Sequence, residues 1–208
     1  MENSVLAVWE KLSTSRGWHS PLAQVHFEKL QNHYSEPGRS YHNWDHITDC
    51  LEQLRESPFQ SDAVTTALLF HDAIYDTNRH DNEEASADLA YESLLELGDS
   101  PSFANQVRSL VIITDHQTPT TALEDQIITD IDLSILGRSA EVYLHYAQSV
   151  RQEYAHISDC EFIAGRRKVM NHFLARQHIF QTGHFHDKFE QAARRNIAHE
   201  LSVLDERN

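Results

Sequence analysis

Imidazoles and carboxylates are the side chains in this sequence best suited to chemistry, and three short segments concentrate them. Phe70-His71-Asp72 closes the apolar run AVTTALLF (63–70), which places an adjacent His-Asp pair at or near a buried face. A buried Asp is costly unless it is paired or ligates a metal. Taken alone, the pair fits equally a capped or salt-bridged Asp beside an ordinary core His. In Tyr41-His42-Asn43-Trp44-Asp45-His46, the last histidine stands one position before the apolar stripe Ile47, Cys50, Leu51 and Leu54. His46 can therefore project toward the same interior as His71. His42 lies four residues earlier, a spacing that shares a helix face. Asn43 as a cap would put it outside the helix, so His46 is the preferred ligand and His42 an outer or substrate contact.

The third segment is Asp130-Ile131-Asp132. Carboxylates at i and i+2 on a helix diverge by about 160–200°, so both cannot serve one pocket. Ile127, Ile128, Ile131, Leu133, Ile135 and Leu136 surround them, which makes a solvated acidic face a poor account of at least one. Two imidazoles and two carboxylates form a mixed nitrogen–oxygen site. Such a site suits Mn, Fe, Co, Ni or Zn better than calcium, and it lacks the thiolates of a structural zinc site. Mg is a further candidate.

Helices must position these groups, because helix signals recur from end to end. Ser20-Pro21 reads as a helix start. Asn43, Ser61, Asn82, Ser100, Thr120 or Thr121, and Ser139 stand where caps belong. Ser158 with Glu161, and Asp187 with Glu190, have capping-box spacing. Gly98 and Gly137 fit helix ends. The run after Ser61 is expected to stay helical through Asp76, and the longest irregular stretch is expected around residues 182–186. About nine or ten helices follow from the pattern, giving an all-α fold. No composition shift marks a second domain. The expectation is one domain over 1–208, its metal-site core at roughly 20–137 and helices of 139–204 packed on it.

The 208 residues, 40% hydrophobic and 24% charged, are ordinary globular composition. The net charge of −15 disfavours a nucleic-acid polymer as partner, while a metal and local arginines can still draw a small anion into one pocket. Cys50 and Cys160, far apart, form neither a disulfide framework nor a thiolate zinc site. Without a leader pattern or an apolar span of about 18 residues, the cytoplasm is the expected compartment and no membrane partner is expected. Arg39, Arg79, Arg166 and Arg167 are candidates for phosphate contact, with Arg39 first because it adjoins Tyr41-His42.

The order His46, His71-Asp72, Asp132 resembles the signature of the HD superfamily of metal-dependent phosphohydrolases. Seven segments look like a subfamily of predicted HD phosphohydrolases: RSYHNWDHI (39–47), FHDAIYD (70–76), DNEEASA (81–87), TDIDLSILG (129–137), VRQEY (150–154), GRRKVMNHFL (165–174) and ARRNIAHEL (193–201). The resemblance runs from about residue 25 to 201. It implies a compact HD-type helical bundle with His46, His71, Asp72 and Asp132 as metal ligands, Asp130 being the competing choice for the last. It also implies that Asp72, or Asp76 through a water, manages protons, Asp76 lying on the face of Asp72 if the helix continues and acting as a general acid/base or an outer group, with Glu83 or Glu84 orienting the attacking water. His116 would be a substrate contact or a ligand of a second metal. The expected partner is a small phosphorylated molecule, an ester or anhydride and conceivably a nucleotide, attacked at phosphorus by a metal-activated water. A homodimer is a further expectation, since HD proteins are often dimers. Two other readings stay open: a di-iron oxygenase of HD type, and a non-catalytic, metal-stabilised binding or regulatory module.

Overall fold

In a computed structural model that describes residues 2–117 and 120–206, every regular element is helical. The helices are α1 (Glu2–Arg16), α2 (Ser20–Tyr34), α3 (Trp44–Glu56), α4 (Asp62–Phe70), α5 (Asn82–Glu96), α6 (Pro101–Ile112), α7 (Leu123–Asp132), α8 (Ala140–Glu153), α9 (Asp159–Ala175) and α10 (Gly183–Glu206). Short 3₁₀ turns follow α6 (Ile113–Asp115) and α7 (Leu133–Gly137). The all-α expectation of nine or ten helices is met. No helix among the described residues is long and apolar enough to cross a membrane. The contacts divide the chain into two units, one up to Thr129 and one from Asp130 onward, so the boundary falls inside α7.

Side-chain caps set many of the helix starts. Asn43, Ser61, Ser100 and Ser139 each accept from a backbone N–H of the first turn, and Ser158 and Glu161 complete a reciprocal capping box. Other starts shift. His19 rather than Ser20 precedes α2, and Asp81 rather than Asn82 precedes α5. Helix α7 opens at Leu123, beyond Thr120 and Thr121. Residues 183–186 are not irregular: α10 begins at Gly183, and Asp187 lies inside it.

In the first unit, α4 is buried at seven of its nine positions. A helix apolar nearly all round belongs in the interior, so its C-terminal end delivers the next residue, His71, into the protein. Trp9, Trp18, Phe27 and Phe70 form an aromatic cluster beneath it, with the Trp9 indole N–H donating to the Ala23 carbonyl.

In the second unit, the 3₁₀ turn after α7 lies directly against α10. A Cβ on Gly137 would stand 2.4 Å from Phe189 Cβ and 2.8 and 2.9 Å from that residue's own O and Cα. Because two of these atoms are backbone, α10 itself would have to move. Gly137→Ala should destabilise the protein by roughly 1–3 kcal/mol, read as a lower urea midpoint; an unchanged midpoint would refute this packing. The segment leading into α10 has four successive backbone N–H groups, and two buried carboxylates satisfy them all. Ile179 and Phe180 donate to Glu190; Gln181 and Thr182 donate to Asp130.

Glu190, expected as part of a capping box, is thus a loop anchor, and Arg194 pairs with it at 2.7 Å. Burial pushes its carboxyl up, but the Phe180 and Ile179 N–H groups and Arg194 outweigh that and hold it below its ordinary 4.5. A depressed carboxylate pKa stabilises the fold above the unfolded value, and that stability is lost as pH falls through the folded value. Acid unfolding should therefore steepen below pH 4.5, and the stability difference between wild type and Glu190→Gln should shrink as pH falls there. A constant difference across that range would exclude the anchor role.

Candidate metal centre

The site is built where α3 begins and α4 ends. Asn43 caps α3 through its Oδ1, which accepts from the Asp45 N–H at 2.9 Å. This fixes the first turn so that His46 points inward, 5% exposed. On the other side, α4 stops at Phe70, with His71 as its C-cap. The helix thus ends six residues before the sequence pattern implies.

A helix end leaves carbonyls without intrahelical partners, and here side chains and one turn take them up. His71 Nδ1 lies 2.9 Å from the Leu68 carbonyl. A carbonyl only accepts, so Nδ1 carries a proton, and in the neutral ring that a metal would bind Nε2 would present its lone pair. The Tyr34 hydroxyl donates to the Leu69 carbonyl at 3.1 Å, and the Ala73 N–H donates to that of Phe70.

Three donor atoms converge in the first unit. His46 Nε2 and His71 Nε2 are 3.1 Å apart. Asp72 Oδ2 is 3.1 Å from His71 Nε2 and 3.4 Å from His46 Nε2. Atoms bound about 2.1 Å from one metal lie about 3.0 Å apart at right angles and about 3.4 Å apart at tetrahedral angles. The triangle falls in that range, and its atoms are those of a mixed nitrogen–oxygen ligand set. The residues fit a divalent metal.

Burial pushes the Asp72 carboxyl up, but His71, His42 and the hydrogen-bonding contacts of His46 and His71 hold it well below the ordinary carboxylate range. It is an anion beside two imidazoles.

Cys50 joins this cluster, its sulfur within 4.8 Å of ligand atoms of both His46 and His71. The sequence marked it only as core, although its spacing of four from His46 on α3 was a usable signal. Its Sγ is 3.8 Å from both ring nitrogens of His46. Equal distances place it off either lone-pair axis, so it packs against the ring rather than beside Nε2.

No family model, curated protein or solved structure matches the chain.

The other sequence candidates fall into distinct places. His42 is half-buried and stacks on Tyr75 with ring centroids 4.0 Å apart. Glu83 is half-buried at the start of α5. Burial raises its pKa first, and the like charges of Asp72, Glu84 and Asp115 add to that. The start of α5, the His71-Asp72 turn and the 3₁₀ turn before His116 thus act on one another. Glu84 is exposed. His116 ends that turn in a left-handed conformation, φ 56°, and is half-buried.

Asp76 does not share a helix face with Asp72, because no helix spans them. It is exposed, and its Oδ1 accepts from the backbone and side chain of Asn78 in the 71–81 connection. Arg39 is buried in backbone contacts, with its side chain 3% exposed. Arg79 pairs with Asp81 at the surface, Arg166 with Glu200 in the interior, and Arg167 with Asp205.

The two aspartates of the Asp-Ile-Asp segment are distinguished within the second unit. Asp130 is fully buried and accepts from Gln181 N, Thr182 N and Thr182 Oγ at 2.7–2.8 Å. Burial pushes it up to about 6, against the pull of those donors. Its carboxylate is committed to the loop. Asp132, the last residue of α7, is half-buried.

Proposed function

We propose that the protein is a metal-dependent phosphohydrolase of HD type, acting on a small phosphate ester or anhydride. The observation that carries this reading is the triangle of His46 Nε2, His71 Nε2 and Asp72 Oδ2, with the His71 tautomer set by the Leu68 carbonyl. Asp132 is assigned as the fourth ligand, because the sequence offers a choice of two aspartates and Asp130 is occupied elsewhere. The donor set favours Mn, Fe, Co, Ni or Zn, with Mg as a weaker fit. A divalent metal held there supplies Lewis acidity toward a phosphoryl oxygen and acidifies a water.

The chain's own residues do the rest. Asp72 adds the one negative charge of the triangle and stays ionised. Glu83, whose proton affinity is raised by burial and by Asp72, is suited to take a proton from the attacking water. His42, on its Tyr75 shelf, and His116 supply side chains for the substrate. Asp76 has no such role in this reading.

Metal analysis of the purified protein beside Asp72→Ala tests the proposal, with hydrolysis of p-nitrophenyl phosphate under added Mn, Co, Ni and Mg. A metal lost in the variant, together with metal-dependent hydrolysis in the wild type alone, is expected. Two irons without hydrolysis would favour an oxygenase. Metal without turnover of any phosphate ester or anhydride would favour a binding module, and no metal at all would end the metal-centre reading.

A further inference from the structure

Arg39 has a different occupation from the phosphate contact its position suggests, and one that bears on the metal. A guanidinium has five N–H donors, and all five are used inside the protein. Nε and one Nη2 hydrogen go to Glu36 Oε2, at 3.2 and 3.0 Å. Nη1 donates to the carbonyls of His42 at 3.1 Å and Asp72 at 2.6 Å. The second Nη2 hydrogen goes to the Ala73 carbonyl at 2.8 Å. None is left for a substrate oxygen.

The accepting carbonyls are not a random set. Asp72 and Ala73 follow the C-terminal end of α4, where a cation is favoured and no helical N–H arrives. His42 belongs to the segment that leads into His46. One planar group therefore ties the two backbone segments that carry the donor triangle. Glu36 holds that group from the far side, its Oε2 accepting from both Nε and Nη2.

We infer that Arg39 is a positioning residue: it holds the His71-Asp72 turn against the His42–His46 segment and thereby sets metal affinity, touching neither metal nor substrate. This rests on the metal-centre reading above. Lysine cannot replace it, because a single ammonium with three donors cannot span Glu36 and three carbonyls.

The test is Co²⁺ binding, by competition with a chromophoric chelator and by the visible absorption of the bound ion. It compares the wild type, Arg39→Ala, Arg39→Lys and His71→Ala. Both Arg39 variants are expected to lose roughly 10–100-fold in affinity, the usual effect of removing a group that orients a ligand, with an altered absorption spectrum. Millimolar guanidinium should restore part of the affinity in Arg39→Ala and none in His71→Ala. If Arg39→Ala does not fold, the affinity and spectrum of Arg39→Lys decide. Wild-type affinity and spectrum in an Arg39 variant, or no rescue by guanidinium in a folded Arg39→Ala, would overturn the inference while leaving the metal centre standing. A wild type that binds no Co²⁺ would remove the metal-centre reading, and this inference with it.

Discussion

His71→Ala is expected to reduce metal affinity by more than about 100-fold, beyond the 10–100-fold typical of an outer partner, and to abolish metal-dependent hydrolysis. His71 is the corner of the donor triangle closest to both others, 3.1 Å from each. Its orientation is also fixed, since Nδ1–H is held by the Leu68 carbonyl. Cys50→Ala is the informative partner variant. Its sulfur sits 3.8 Å from both nitrogens of the His46 ring, so the change removes packing and no ligand. Metal affinity should stay within a few-fold of wild type, at a stability cost of about 1 kcal/mol for the lost packing. Isothermal titration with Zn²⁺ or Co²⁺ reads both variants. A Cys50→Ala protein that loses metal as completely as His71→Ala would make the site a thiolate centre and would count against the hydrolase assignment.

Glu200→Ala should strongly destabilise the second unit, by about 3–5 kcal/mol. Arg166, on α9, donates to Glu200 on α10 through Nε at 2.8 Å and Nη2 at 3.2 Å, and to the Tyr146 hydroxyl at 3.0 Å. The Tyr143 hydroxyl donates to the same carboxylate. Burial first, and then Glu200, raises the Tyr143 pKa, so the hydroxyl keeps its proton and remains a donor. The Arg166 and Glu200 side chains are only 7% and 12% exposed. Removing the carboxylate leaves a guanidinium with little water and no counter-charge. Replacing both partners, as Arg166→Met with Glu200→Leu, removes that uncompensated charge and should cost far less. Urea unfolding of the wild type, the single variant and the double variant measures this. A single-variant loss under about 1 kcal/mol would show that the pair behaves as a surface salt bridge.

Much of the fold was legible because its signals are local. Asn43, Ser61, Ser100, Ser139 and the Ser158–Glu161 box act on backbone N–H groups two or three residues away, so sequence spacing contains the whole interaction. That His46 and His71 turn inward, with Asp72 beside them, was legible for a related reason. Each sits at the edge of an apolar run, where burial turns a polar side chain into one that needs a partner.

Sequence pattern falls short where a distant group decides the outcome. FHDAIYD holds no glycine or proline to mark a helix end at Phe70. The end is held by Tyr34, Arg39 and Ser86, which take the carbonyls of Leu69, of Asp72 and Ala73, and of Ile74. That early end separates Asp76 from Asp72. The same contacts turn Arg39 from a candidate phosphate ligand into a scaffold cation. Asp187 and Glu190 have the spacing of a capping box, yet Glu190 serves Ile179 and Phe180, eleven and ten residues away. Asp130 and Asp132 are indistinguishable by spacing, and the donors of Gln181 and Thr182, some fifty residues on, claim Asp130. By itself the sequence determined that this protein is helical and that His46, His71 and at least one of Asp130 and Asp132 would turn inward. Only the tertiary structure decided which of those groups converge and which are consumed by the backbone, because a buried donor or acceptor must be satisfied from whatever the fold places beside it.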